Sequence, residues 1–339
     1  MSRYYSLVAG LPVLTFDGLK PPFTVAEFEA ELAKHLTKAD KSLFEFFQLK
    51  VDTENLLEQL KNPYYEMMDG GKLTADEINV LISGVQTEYR CKNEIAAYNI
   101  EAEAYNQALA LLEGMDKYVL EGIQYKKKTP QKIKSFPKPF KNKNRRIPAF
   151  FEKFVRMYLT SAEQGDEITI PWDDRLSSMF YEYTMQRANA FLSSWFEFNL
   201  NINNIYTALT CRKYKLDRAN YIVGNTETSN KLRTSTDRDF ELGESVPYLT
   251  PVSRIAEDPD ILQRELRTDQ LKWEWLDERT FPLVFEFDNV ITYWLKIEML
   301  ERWSGLDKAE GENTFRQIVG PLKKSGAHVL EEFKRNNKK

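Results

Sequence analysis

"FEFNLNINNIYTALTCRKY", residues 196–214, decides how this chain is read. Phe196, Phe198 and Leu200 alternate strictly. An asparagine-rich step follows, and apolar residues then recur at helical spacing up to Arg212. Two other stretches share the phrase: "FQLKVDTENLLEQLK", residues 47–61, and "FPLVFEFDNVITYWLKIEMLERW", residues 281–303. Aligned on Asn55 and Asn204, the first two pair without a gap, Asp52 with Asn201, Leu49 with Phe198 and Phe47 with Phe196. In the looser third copy Asn289 takes the asparagine position and Glu286 that of Asp52. Asp or Asn ahead of an apolar stripe is suited to capping, because its side chain accepts an orphan amide of the next turn. Asp52, Asn55, Asn201, Asn204 and Asn289 are therefore expected as caps between a helix that ends and one that begins. The copies are unequally spaced, unlike a solenoid with a fixed period of about 20–50 residues. Either they mark three helical lobes of unequal size, or such phrases recur by chance in an all-α chain.

Helix signals dominate the rest of the chain. Thr24 with Glu27, and Thr74 with Glu77, have the spacing of capping boxes. The segment 93–115 has helical periodicity and meets no Pro or Gly before Gly114. Pro148 suits a first helical turn. After Pro171, Asp173 and Asp174 lie where a helix dipole favours acids, and a helix through Phe180, Tyr181, Phe191 and Trp195 is expected to bury an aromatic stripe. Further helices are expected over 258–278, 281–303 and 321–335, with Tyr293 in the core. The 14 Gly and 14 Pro in 339 residues are few for a turn-rich sandwich or barrel. The fold class expected is all-α, arranged as three lobes: 1–125, 148–253 and 254–339, with a basic linker at 126–147 between the first two. Residues 223–253 are polar and are expected to form a long mobile excursion.

The net charge of −4 is too small to make nucleic acid the main expected partner. Cys91 and Cys211 are too few for a disulfide framework and are expected as reduced thiols of a cytoplasmic protein. The opening residues form too short an apolar run for a signal peptide, and no stretch reaches the ~18 apolar residues of a membrane span.

Chemistry-bearing motifs are sparse. His35 and His328 have no metal-ligand spacing to a Cys or another His. "DGGK" at 69–72 has the composition of a turn but not the spacing of a phosphate-binding loop, and no nucleophile-elbow motif occurs. Asp173, Asp174 and Glu182 read better as capping or solvated acids than as a carboxylate site. Catalytic, cofactor and metal residues are therefore not expected. Residues 126–146, "KKKTPQKIKSFPKPFKNKNRR", hold ten Lys or Arg and no acid, interleaved with Phe136 and Phe140. Such a run suits a solvated linker, a nucleic acid whose bases stack on aromatics, or an anionic membrane surface. For the membrane surface the candidate contacts are Lys126, Lys127, Lys128, Lys141, Lys143, Arg145 and Arg146.

The second phrase, with its Arg212 and Lys213, resembles a phrase of the C-type central-stalk subunit of V/A-type ATP synthases, the counterpart of the d-type subunit in the eukaryotic V-type proton pump. The third resembles that family's closing phrase, with Tyr293, Lys296, Glu298 and Arg302 followed by Gly305 and Gly311. The opening "SRYYSLVAGLPVL" is similar to the start of an uncharacterised bacterial family associated with V-type ATPase gene clusters. The chain departs from the C-type pattern in Asn201, where Asp is usual, in Lys61, which ends the first copy without the Arg, and in the basic 126–146 segment. The resemblance implies a divergent member or replacement, folded as a pseudo-threefold helical funnel. It implies a non-catalytic, cytoplasmic socket, peripheral on the inner membrane face, that takes no cofactor or small-molecule substrate. The partners implied are the central-shaft subunits and the membrane rotor ring, with Arg212 and Arg302 as candidate contacts and torque transmission for ion transport as the task. The rival is a helical scaffold that binds nucleic acid through 126–146, or a helical enzyme.

Overall fold

The computed structural model describes residues 4–16, 21–113, 129, 140–164, 170–281 and 286–305. Among them the secondary structure is entirely helical: α1 (Tyr5–Val8), α2 (Val25–His35), α3 (Lys38–Lys61), α4 (Ala75–Glu113), α5 (Ala149–Gln164), α6 (Trp172–Arg187), α7 (Ala190–Tyr214), α8 (Glu227–Thr234), α9 (Leu249–Ala256), α10 (Ile261–Thr280) and α11 (Phe287–Ser304). The expected helix 321–335, His328 and Gly311 lie outside the described residues.

The local signals fix most helix starts. The Thr24 hydroxyl accepts from the Glu27 amide while the Glu27 carboxylate accepts from the Thr24 amide, closing the capping box. Thr74 and Glu77 repeat it at α4. Pro148 precedes α5, and Asp173 and Asp174 fill the first turn of α6. The expected single helix through Phe180 and Trp195 is broken at Ala188. There Asn189 caps α7 by accepting the Leu192 amide at 2.9 Å.

The asparagine phrases differ from expectation in an instructive way. Asp52 and Asn55 lie inside the unbroken α3, and Asn201 and Asn204 inside the unbroken α7, so none of the four is a cap. Asn289 sits half-buried in the first turn of α11, whose N-cap is Glu286. The strict alternation of Phe196, Phe198 and Leu200 has a different cause from a change of element. Residues two apart point to nearly opposite sides of a helix, and a helix apolar on every side is one wrapped by neighbours. α7 buries Leu192, Phe196, Phe198, Leu200, Ile202 and Ile205 around its circumference. It packs against α6 and α8, and Phe196 meets Phe46, Phe47 and Phe180.

The chain divides into two compact units, residues 1–44 with 248–339 and residues 45–247. α3 starts in the first and continues in the second. In the first unit α11 is the central helix, packed on α2 and α10, with α9 on α10. It buries Val290, Ile291, Trp294, Leu295 and Ile297. N-terminal residues join it because α2 needs an apolar partner for Phe28 and Leu32, and α11 supplies one. Tyr293 is half-buried there. Its ring lies 5.3 Å from that of Phe28, and its hydroxyl donates to the Pro12 carbonyl at 2.9 Å. Burial pushes that hydroxyl's pKa up to about 12. Tyr293→Ala is expected to cost about 2 kcal/mol, below the ~3–5 kcal/mol of a fully buried aromatic because the side chain is only half-buried. An unchanged denaturation midpoint would contradict this packing.

Residues 223–253 are not a mobile excursion. Thr226 caps α8, a 3-10 turn spans Gly243–Ser245, and Leu232, Phe240, Leu242, Val246 and Val252 are buried. The apolar residues are sparse, but nearly every one is inserted into the core, and the polar ones close turns.

Candidate functional site

Two of the buried asparagines, Asn55 and Asn204, each close a loop onto their helix. Asn55, fully buried, donates its amide to the Met68 carbonyl (3.1 Å) and accepts the Met68 amide (2.8 Å). Asn204 does the same to Val223, at 2.8 and 3.0 Å. A carboxamide offers one donor side and one acceptor side, so a single residue can satisfy both polar groups of a loop residue. After each clasped residue the chain passes a glycine of positive φ, Gly70 (93°) or Gly224 (77°), and then enters a Thr-capped helix, at Thr74 or Thr226. Asp52 extends the first clasp by accepting the Leu73 amide at 3.0 Å. Burial pushes its carboxyl above the usual range, partly offset by the backbone amides of Leu73 and Lys72. In α11 the comparable contact is made by Glu301 and not by Asn289. Glu301 accepts the Val25 amide at 2.6 Å, immediately after Thr24, the cap of α2. Two helices thus clasp the loop that leads into a Thr-capped helix, and a third accepts the first amide of one through a carboxylate. Two of the three holding residues are the asparagines of the shared phrase, and the third lies twelve positions beyond Asn289.

Arg212 and Arg302, the candidate partner contacts, both have internal partners. Arg212 donates to the carbonyls of Arg238 (2.8 Å) and Asp237 (2.6 Å), and its guanidinium lies 3.9 Å from the Phe240 ring centroid. Phe240 and Glu241 both have φ of 57°, uncommon for such side chains, and Arg212 holds the carbonyls just before them. Arg302 pairs with the buried Asp269, which also accepts the Trp303 indole at 2.9 Å. Half of the Arg302 side chain remains exposed.

The basic segment divides in two. Lys126, Lys127, Lys128 and Phe136 lie outside the described residues. From Phe140 onward the chain is fastened to α4 and α5. The Phe140 amide donates to Glu88 at 2.8 Å, and Arg156 donates to Glu88 and to the Phe140 carbonyl, each at 2.8 Å. The Phe140 ring sits on Gly84 so closely that a β-carbon there would come within 2.2 Å of it. Asn142 donates its amide to Glu152, Asn144 donates its side chain to Glu77, and Arg146 pairs with Glu77 and the Lys72 carbonyl. Glu88 is only 3% exposed and also pairs with Lys92. Burial alone would raise its pKa, but the Lys92, Arg156 and Phe140 donors outweigh it and hold the carboxyl below the ordinary range. This cluster was not legible in the sequence, because Glu88, Phe140 and Arg156 come from three separate segments.

A cleft of about 470 Å³ opens between α3, α6 and α7, lined by Glu54, Glu58, Asp173, Asp174, Phe180 and Tyr181 among others. Lys61 bridges Glu58 (2.8 Å) and Asp173 (3.3 Å) at its edge. Burial and the neighbouring Asp173 raise the Asp174 carboxyl above its usual range. Glu182 is not among the lining residues and accepts from Gln186. His35 lies 3.3 Å from Glu31, while Cys91 and Cys211 are free, and burial pushes the Cys211 thiol up. Among the described residues no group of three or more His, Cys, Asp or Glu is placed to hold a metal ion. No described helix is long and apolar enough to cross a membrane.

Comparison with known proteins found no match among curated proteins and none among solved structures. One family pattern does match, DUF2764, described as a protein of unknown function, over residues 1–105 and 106–326. With nearly the whole length matched, this chain belongs to the DUF2764 family.

Proposed function

We infer that this chain is a non-catalytic central-stalk subunit of a V/A-type rotary ATPase, a socket between the central shaft and the membrane rotor ring. The observation that supports the reading most is the recurrence of one device. Asn55 and Asn204 each clasp both backbone groups of a loop residue that leads into a Thr-capped helix, and Glu301 accepts the first helical amide after Thr24; such recurrence fits an internally repeated helical protein. Both arginines of the resembling phrases stand at helix ends and keep exposed surface. The nucleic-acid alternative loses its described stacking residue, since the Phe140 ring is packed on Gly84.

The test is direct binding of the purified chain to shaft subunits and to the rotor ring of a V/A-type ATPase from the same organism. Saturable capture at micromolar concentration is expected, with at least ~800 Å² buried per partner, as for a stable specific interface. Arg212→Ala and Arg302→Ala are expected to weaken capture by more than their loss of melting temperature explains. Early melting with normal capture would make both arginines purely internal. No affinity for shaft or ring would remove the reading.

A further inference from the structure

We propose that Lys141, Lys143 and Arg145 form a fixed basic edge that contacts anionic lipid headgroups. These three cations alternate with anchored neighbours. Phe140, Asn142 and Asn144 are half-buried and bonded to Glu88, Glu152 and Glu77, and Ile147 is buried beyond them. Between them Lys141, Lys143 and Arg145 are exposed. The side chains of Asn142 and Asn144 also stiffen the turn: Asn142 accepts the Asn144 amide at 3.0 Å, and Asn144 accepts the Arg146 amide at 2.9 Å. The three outward cations are therefore held in place by their inward neighbours.

Charge in this region is unevenly matched. The acids that face the segment are each taken by an internal cation, Glu77 by Arg146, Glu88 by Arg156 and Lys92, and Glu152 by Arg156. Among the described residues these acids bond to no member of the outward trio, so the field of the trio is directed to solvent. Arg146, although basic, is occupied by Glu77 and the Lys72 carbonyl and does not belong to the edge. Among the described residues of the segment the ring, Phe140, is packed on Gly84 and not offered beside the cations, so here phosphate is attracted through charge. Lipid headgroups reward this, whereas tight single-strand binding also uses base stacking. The choice of a lipid surface rests on the stalk reading; the basic edge itself does not.

Vesicle sedimentation with the full chain tests it, comparing phosphatidylcholine with mixed phosphatidylglycerol and phosphatidylcholine. Binding only to the anionic vesicles is expected, weakening as salt rises. Each cation near the headgroups contributes about fivefold, so the triple variant Lys141→Ala, Lys143→Ala, Arg145→Ala should lose on the order of a hundredfold in partitioning. A charge-matched control, Lys41→Ala, Lys213→Ala, Lys215→Ala, should lose far less. Equal losses in the two variants, unchanged binding by the first, or tighter binding to single-stranded RNA than to the vesicles would overturn the proposal. The two readings fail separately: a chain that binds shaft subunits but no anionic vesicle refutes the edge alone. One that binds vesicles through these residues but no shaft supports the edge and refutes the stalk.

Discussion

Replacing Glu88 with alanine is expected to destabilise the protein by on the order of 3 kcal/mol, the cost of removing one partner from a buried ion pair. The Arg156 guanidinium would keep Glu152, and the Phe140 amide would lose its acceptor. Because Phe140 fastens the basic edge to α4, Glu88→Ala should also free that edge, seen as faster amide exchange over 140–146. The same cluster sets a pH dependence. The folded-state pKa of Glu88 lies below its ordinary value, so its contribution is complete above the unfolded-state pKa. It is lost as pH falls through the depressed folded-state value. Acidification through that window should narrow the stability gap between wild type and Glu88→Gln. A gap that stayed constant would show that Glu88 is not charged in the folded protein.

Asn55→Leu and Asn204→Leu are each expected to cost on the order of 2–3 kcal/mol. Leucine fits the volume but leaves loop backbone groups without their partner, and an unmet buried polar group costs about 1–3 kcal/mol. The Met68 backbone loses a donor and an acceptor together. Val223 loses its amide acceptor, while its carbonyl keeps the Ser229 hydroxyl at 3.0 Å. Asn55→Leu should therefore cost more. Hydrogen exchange at the Met68 amide should accelerate in Asn55→Leu and at the Val223 amide in Asn204→Leu, each without change at the other site. If both variants melted as wild type with both amides still protected, the clasps would be incidental.

What could be read from the sequence followed from local rules. Capping boxes at Thr24 and Thr74, the prolines before α5 and α6, and uninterrupted apolar periodicity placed the helices and the all-α class. The same local rules misled at the asparagines. Asn is a good cap and a good clasp, and its type alone does not say whether its partner is the next turn or a loop 13 or 19 residues away. The alternation at Phe196, Phe198 and Leu200 carried the missing information once the segment is a helix, since a helix buries residues two apart only when neighbours surround it. Residues 223–253 misled for a related reason: composition counts apolar residues, and burial depends on where each one lands. Of the candidate site, Lys141, Lys143 and Arg145 were legible as charges. Their separation from Arg146 depended on Glu77, Glu88 and Glu152, which lie on other helices.

The most direct test of the stalk reading is purification of the tagged full chain from its native membranes under mild detergent, followed by identification of what stays bound after washing. Central-shaft subunits and the rotor ring of a V/A-type ATPase are expected in fixed ratio to the chain. Recovery of the chain alone, or with nucleic acid in their place, would contradict it.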